Sequence, residues 1–173
     1  PRQLLQLFQR AYGLFEPAQE AWHDAQGRVL DPFRPRVEPG GFASLDALAE
    51  DRTRHLAAVR RMFEECDALI LTLGLTEGWR AAADGAAWPL PPDAAGAVDA
   101  AEARFHNATV VEMGADLAAF LDGVRAVNPG LPVLLTVSPV ALVATFEARH
   151  VLVSTVASKA ALRAVAEEAC RTD

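Results

Sequence analysis

Gly74-Leu75-Thr76-Glu77-Gly78-Trp79 follows directly on the apolar run 68–73. It sets a glycine beside a hydroxyl, a carboxylate and an indole. Glycine lets the main chain come close to a ligand. A main-chain N–H next to a side-chain donor is the chemistry that holds the oxyanion of acyl transfer. Gly74 and Thr76 are therefore the oxyanion candidates. Glu77 and Trp79 add an acceptor and a stacking surface for substrate. The same residues also suit a plain strand-to-loop turn with a cap. A second segment, Ser138-Pro139-Val140, closes the apolar run 132–138. Ser138 stands where a nucleophile could stand, but it lacks the Gly-x-Ser-x-Gly elbow, and Pro139 signals a turn.

His150 precedes an apolar stretch and is a pocket candidate, with a packed, hydrogen-bonded histidine as the other reading. His23, His55 and His106 show no zinc spacing with one another or with cysteine. No glycine-rich phosphate loop is present, so neither a metal nor a cofactor is expected. Cys66 and Cys170 are too few for a disulfide framework and are read as structural. Lys159, the only lysine, lies near a helix start, where it would hold an anion or be solvated. No complete set of nucleophile, base and orienting residue can be assembled from these residues.

The elements that must position them follow from periodicity. Leu4, Leu5, Phe8 and Tyr12 predict an amphipathic helix over 1–15, stopped by Gly13. Residues 16–43 carry Pro17, Pro32, Pro35 and Pro39 and read as a loop packed by Trp22, Phe33 and Phe42. Asp31-Pro32-Phe33-Arg34-Pro35 is a candidate clamp within it. Ser44 predicts the cap of a helix over 44–66, with Arg52, Arg54, Arg60 and Arg61 on a solvated face. The runs 68–73 and 132–138 read as strands buried on both faces of a parallel sheet. Residues 111–127 read as the helix between them, ended by Asn128-Pro129-Gly130. The segment 81–106 has no clear pattern. Val151-Leu152-Val153 is a third short strand or the lead-in to a helix over 156–170. Strand, helix, strand in this order predicts an α/β layer architecture. Ligands of such sheets bind at the carboxyl ends of the strands, which selects 74–79 and 138–140.

The chain has 173 residues, enough for one domain, and 51% of them are hydrophobic, which excludes disorder. Its net charge of −7 argues against a nucleic-acid surface. No run is long enough for a membrane span. No leader sequence is visible, so the cytoplasm is the default compartment. Oligomeric state is not legible.

Several blocks resemble the GSCFA family. Thr72-Leu73-Gly74-Leu75-Thr76-Glu77 with Trp79 is similar to its TLGLTE-x-W block, and 31–35 to its DPFRP block. Val124–Pro129 resembles the end of its LRAVNP helix, and Leu135–Val140 its LTVSPV strand. Arg149–Val153 and Ser158-Lys159 with Leu162-Arg163 resemble its RHVLV and SK-x-x-LR blocks. The chain departs from the pattern at Pro91-Pro92-Asp93, at Ala141 in place of a second proline and at Ala157 in place of a tyrosine.

The resemblance implies an SGNH-like hydrolase fold, a flavodoxin-like three-layer parallel sheet that residues 1–173 would complete only in part. Gly74-Leu75-Thr76-Glu77 would stand where SGNH enzymes have Gly-x-Asn-Asp. The family's own Gly-Ser-Cys-Phe-Ala block and its late histidine block are absent from the sequence. The expectation is the central part of a serine esterase or acyltransferase domain, inactive by itself. Its substrate would be a small-molecule or glycan acyl ester, with Glu77, Trp79, Ser138 and His150 shaping the pocket. The alternative is a non-catalytic carbohydrate- or peptide-binding module whose recognition surface is the loop with Trp22, Phe33 and Phe42.

Overall fold

The computed structural model describes residues 1–171 as a mixed α/β fold. Its helices are α1 (Arg2–Ala11), α2 (Leu45–Glu65), α3 (Val110–Val127) and α4 (Val151–Arg171). Its strands are β1 (Trp22–His23), β2 (Val29–Leu30), β3 (Leu69–Leu73), β4 (Glu77–Ala81), β5 (Ala87–Trp88), β6 (Ala103–Asn107) and β7 (Val133–Val137).

β3 and β7 pair in parallel, from Leu69 opposite Val133 to Leu73 opposite Val137. A parallel ladder uses alternate residues of each strand. The Leu69 N–H donates to the Pro132 carbonyl and the Leu73 carbonyl accepts from the Ser138 N–H. The main-chain groups of Ile70 and Thr72 therefore point to the other edge of β3, which no described strand covers.

Side chains alternate across the same strands. Leu69, Leu71, Leu73, Val133, Leu135 and Val137 pack into the main core with residues of all four helices. The opposite face is open: Ile70 is 67% and Leu134 57% exposed, and the hydroxyls of Thr72 and Thr136 meet at 2.9 Å. The expectation of strands buried on both faces is thus corrected. Among the described residues the helices cover one face only, and a three-layer sheet is not complete.

Local chemistry sets each helix. Gly13 takes a φ of 68° just past α1, as expected for a left-handed stop. The Ser44 hydroxyl accepts from the Ala47 N–H at the start of α2. Asn128 closes the other end of α2, donating its amide to the carbonyls of Phe63 and Cys66. That satisfies carbonyls a helix end leaves open. Thr109 and Glu112 form a reciprocal capping box on α3.

A second, smaller core lies beside the first. Trp22 and Trp88, both fully buried, meet edge to face with ring centres 4.9 Å apart. Around them stand the β1–β2 pair and an antiparallel sheet in the order β5-β4-β6. β5 and most of β6 lie in the region 81–106, which had no readable pattern, and β1 and β2 add short strands to the expected loop 16–43. The buried Asp31 anchors that loop, accepting from the Phe33 N–H and from Arg34, which also pairs with Asp51 on α2. Gln6 of α1 joins the two cores, donating to the Ala87 carbonyl and accepting from the Ala87 N–H.

Of the two readings of Val151–Val153, the structure selects the helical lead-in: it is the first turn of α4. Two further expectations change. Arg52 is not solvated: its side chain is 13% exposed and pairs with Glu20. Cys170 is exposed, so it has no packing role, whereas Cys66 packs at the edge of the main core.

α1 crosses α3 at Gly123. A Cβ there would lie 2.6 Å from Cε1 of Phe8, whose ring is held between Tyr12, Phe63 and Phe120. Gly123→Ala is expected to lose about 1–3 kcal/mol despite its better helix propensity. Chemical denaturation checks this, and a stability gain would contradict the close crossing.

Candidate functional site

A cavity of about 580 Å³ opens where β3 ends. Its walls come from the start of α1, the segment Leu71–Arg80, His106 on β6, and Met113 and Asp116 on α3. Gly74, Thr76, Glu77 and Trp79 all line it. Ser138 and His150 do not.

The turn after β3 is held from both sides by α4. The Thr76 N–H donates to the Ser158 hydroxyl at 3.2 Å, and Lys159 Nζ donates to the Gly74 carbonyl at 2.7 Å. Lys159 is thus neither an anion holder nor free in solvent. The Thr76 carbonyl accepts from the Ala108 N–H, which ties the turn to the end of β6. Three donors of this turn, the Gly74 and Leu75 N–H groups and the Thr76 hydroxyl, have no partner among the described residues. The alternation of the ladder turns the Gly74 N–H away from β7, towards the open edge of β3.

Glu77 and Trp79 begin β4 rather than completing a loop. Both Glu77 oxygens are engaged, by the Thr145 hydroxyl at 2.5 Å and the Phe146 N–H at 3.2 Å. Glu77 therefore fastens the segment after β7. Phe146 in turn meets Trp79 edge to face, with ring centres 5.0 Å apart. Ser138 accepts from the Val140 N–H, which makes it the pivot of a tight turn. His150 sits at the start of α4 and its Nδ1 accepts from the Leu152 N–H, so it acts there as a cap.

The polar end of the cavity was not legible in the sequence. Arg80 and His106 stand on one face of the paired strands β4 and β6, where Gly78 faces His106 and Arg80 faces Arg104. Glu112 reaches that face from the first turn of α3. Its Oε1 lies 3.0 Å from His106 Nε2, off the hydrogen-bonding axis, and 3.7 Å from Arg80. Its Oε2 accepts from the Thr109 N–H at 2.8 Å and the Thr109 hydroxyl at 3.0 Å. The Thr109 N–H does most to hold the Glu112 carboxyl below its usual range; burial opposes it, and the Thr109 hydroxyl, His106 and Arg80 assist. One turn on, Asp116 is buried against Arg2 at 2.7 Å while its Oδ2 has no partner. Burial pushes the Asp116 carboxyl up, opposed chiefly by Arg2.

The family model described as the GSCFA family matches residues 1–173. The chain belongs to the GSCFA family. No curated protein and no solved structure is significantly similar to it.

In this GSCFA chain the blocks that resemble the family have physical duties. Asp31 to Arg34 anchor the long loop to α2. Asn128 closes α2. Ser158 and Lys159 grip the turn that Gly74 begins. Trp22, offered as part of a recognition loop, is fully buried and presents no surface. Among the described residues no group of three His, Cys, Asp or Glu side chains could hold a metal ion. No described helix is long and apolar enough to cross a membrane.

The lowered carboxyl of Glu112 gives a pH prediction. Its contribution to stability is full above the ordinary glutamate value of about 4.3 and is lost as pH falls through the lower folded value. Glu112→Gln is expected to lose about 1 kcal/mol at neutral pH, the size of a helix cap. The loss should shrink from pH 7 to pH 3, as read from urea midpoints. An equal loss at both pH values would contradict the assignment.

Proposed function

We propose that residues 1–173 supply the oxyanion side and the substrate pocket of an acyl-ester hydrolase or acyltransferase site. The observation that carries this reading is the unpaired Gly74 N–H, set beside the free Thr76 hydroxyl on a cavity at the carboxyl end of β3. That end of a parallel strand is where α/β sheets bind ligands. The two donors sit on a turn that α4 clamps, so they need little reorganisation as charge develops on a carbonyl oxygen.

In this reading the ester carbonyl oxygen points to Gly74 and Thr76. A nucleophile attacks the carbonyl carbon, and the negative charge moves to the oxygen that the two donors face. Glu77 acts by positioning: it holds the 145–147 segment, and with it Phe146, against Trp79. Ser138 is committed to its turn and His150 to its cap, so neither forms a nucleophile–base pair. Residues 1–173 alone are therefore expected to bind an ester without turning it over.

Amide-resolved NMR with ethyl butyrate tests this. The Gly74 and Thr76 signals are expected to shift while those of α2 stay still. No shift at Gly74 would remove the oxyanion reading. Hydrolysis of an activated acetyl ester that Ser138→Ala abolishes would overturn the assignment of Ser138 to its turn alone.

A further inference from the structure

The two ends of the cavity differ in chemistry. Its walls include Leu4, Leu7, Leu71, Leu73 and Met113, with Arg80 and His106 at the polar end. The Arg80 side chain is 23% exposed, and its one ion pair, to Glu112, is 3.7 Å long. No hydrogen bond uses its guanidinium among the described residues. Glu112 is already filled on its other oxygen by Thr109. Arg80 is thus fixed by the β4–β6 pairing, charged, and short of acceptors. A guanidinium in that condition matches the paired oxygens of a carboxylate. The capping box takes up the Thr109 and Glu112 N–H groups at the start of α3, and neither Val110 nor Val111 lines the cavity, so the anchor is the arginine side chain.

We infer that the cavity binds an amphiphilic carboxylate, a fatty acid of medium chain length, with its head on Arg80 and His106 and its tail along the leucine wall. The inference deepens the acyl-ester reading and rests on it, since such an acid is what hydrolysis of an acyl ester releases. Arg80 and His106 are then specificity residues that select acyl groups and retain the acid. The volume of about 580 Å³ falls within the range of small-molecule sites, about 300–1,000 Å³. Burial of apolar tail supplies affinity, and the arginine supplies orientation.

Isothermal titration of the whole chain with octanoate, octan-1-ol and acetate tests this. Octanoate is expected to bind at least about tenfold tighter than either of the others, since charge-assisted bonds and tail burial each contribute. Arg80→Gln is expected to lower octanoate affinity about tenfold or more and leave octan-1-ol unchanged. Arg80→Lys, which keeps the charge without the fork, should fall between the two. Equal binding of octanoate and octan-1-ol would overturn the carboxylate anchor. Equal binding of octanoate and acetate would overturn the tail site. Neither comparison depends on a variant folding. The ester titration separates this inference from the functional reading. Octanoate binding with an unmoved Gly74 amide removes the ester chemistry alone. A shifted Gly74 amide without octanoate binding removes this inference alone.

Discussion

Ser158 and Lys159, adjacent on α4, hold opposite sides of one turn. The serine hydroxyl takes the Thr76 N–H, and the lysine ammonium takes the Gly74 carbonyl. Everything else at the cavity depends on this grip. It fixes where β3 stops and where β4 begins. It leaves the Gly74 N–H without a partner. It also ties α4 to a turn more than eighty residues earlier in the chain. A buried serine hydroxyl is a sound partner for such a turn, because an unfilled amide at that depth would be costly.

The main core imposes the second constraint. α1 passes close enough to α3 that Gly123 has no room for a side chain. That approach places the start of α1 over the cavity, and Arg2 against Asp116. From the other direction, β4 and β6 pair so that Arg80 and His106 reach the first turn of α3. The polar end of the cavity is therefore built by three elements that meet there, each held by packing elsewhere.

Much of this is legible in the sequence. The apolar runs gave both parallel strands, Ser44 and Gly13 marked helix ends, and Gly74, Thr76, Glu77 and Trp79 fell on the cavity. The small antiparallel sheet was hidden, because β5 has two residues and alanine, glycine and polar side chains weaken the alternation of the rest. The open face of β3 was misread: an apolar run shows that both faces are hydrophobic, not that both are covered. Arg80, His106, Glu112 and Asp116 escaped notice because register and a strand–helix corner bring them together, and sequence spacing does not record that. Ser138 and His150 looked chemical by type and position, but each is spent on a local turn or cap, the commonest fate of such residues at loop ends.

Amide hydrogen exchange at Thr76 tests the clamp most directly. The account predicts slow exchange at Thr76, fast exchange at the exposed Gly74, and in Ser158→Ala a selective speeding of Thr76 while Phe120 in α3 stays protected. Exchange at Thr76 as fast as at Gly74, or a Thr76 rate that Ser158→Ala leaves unchanged, would contradict it.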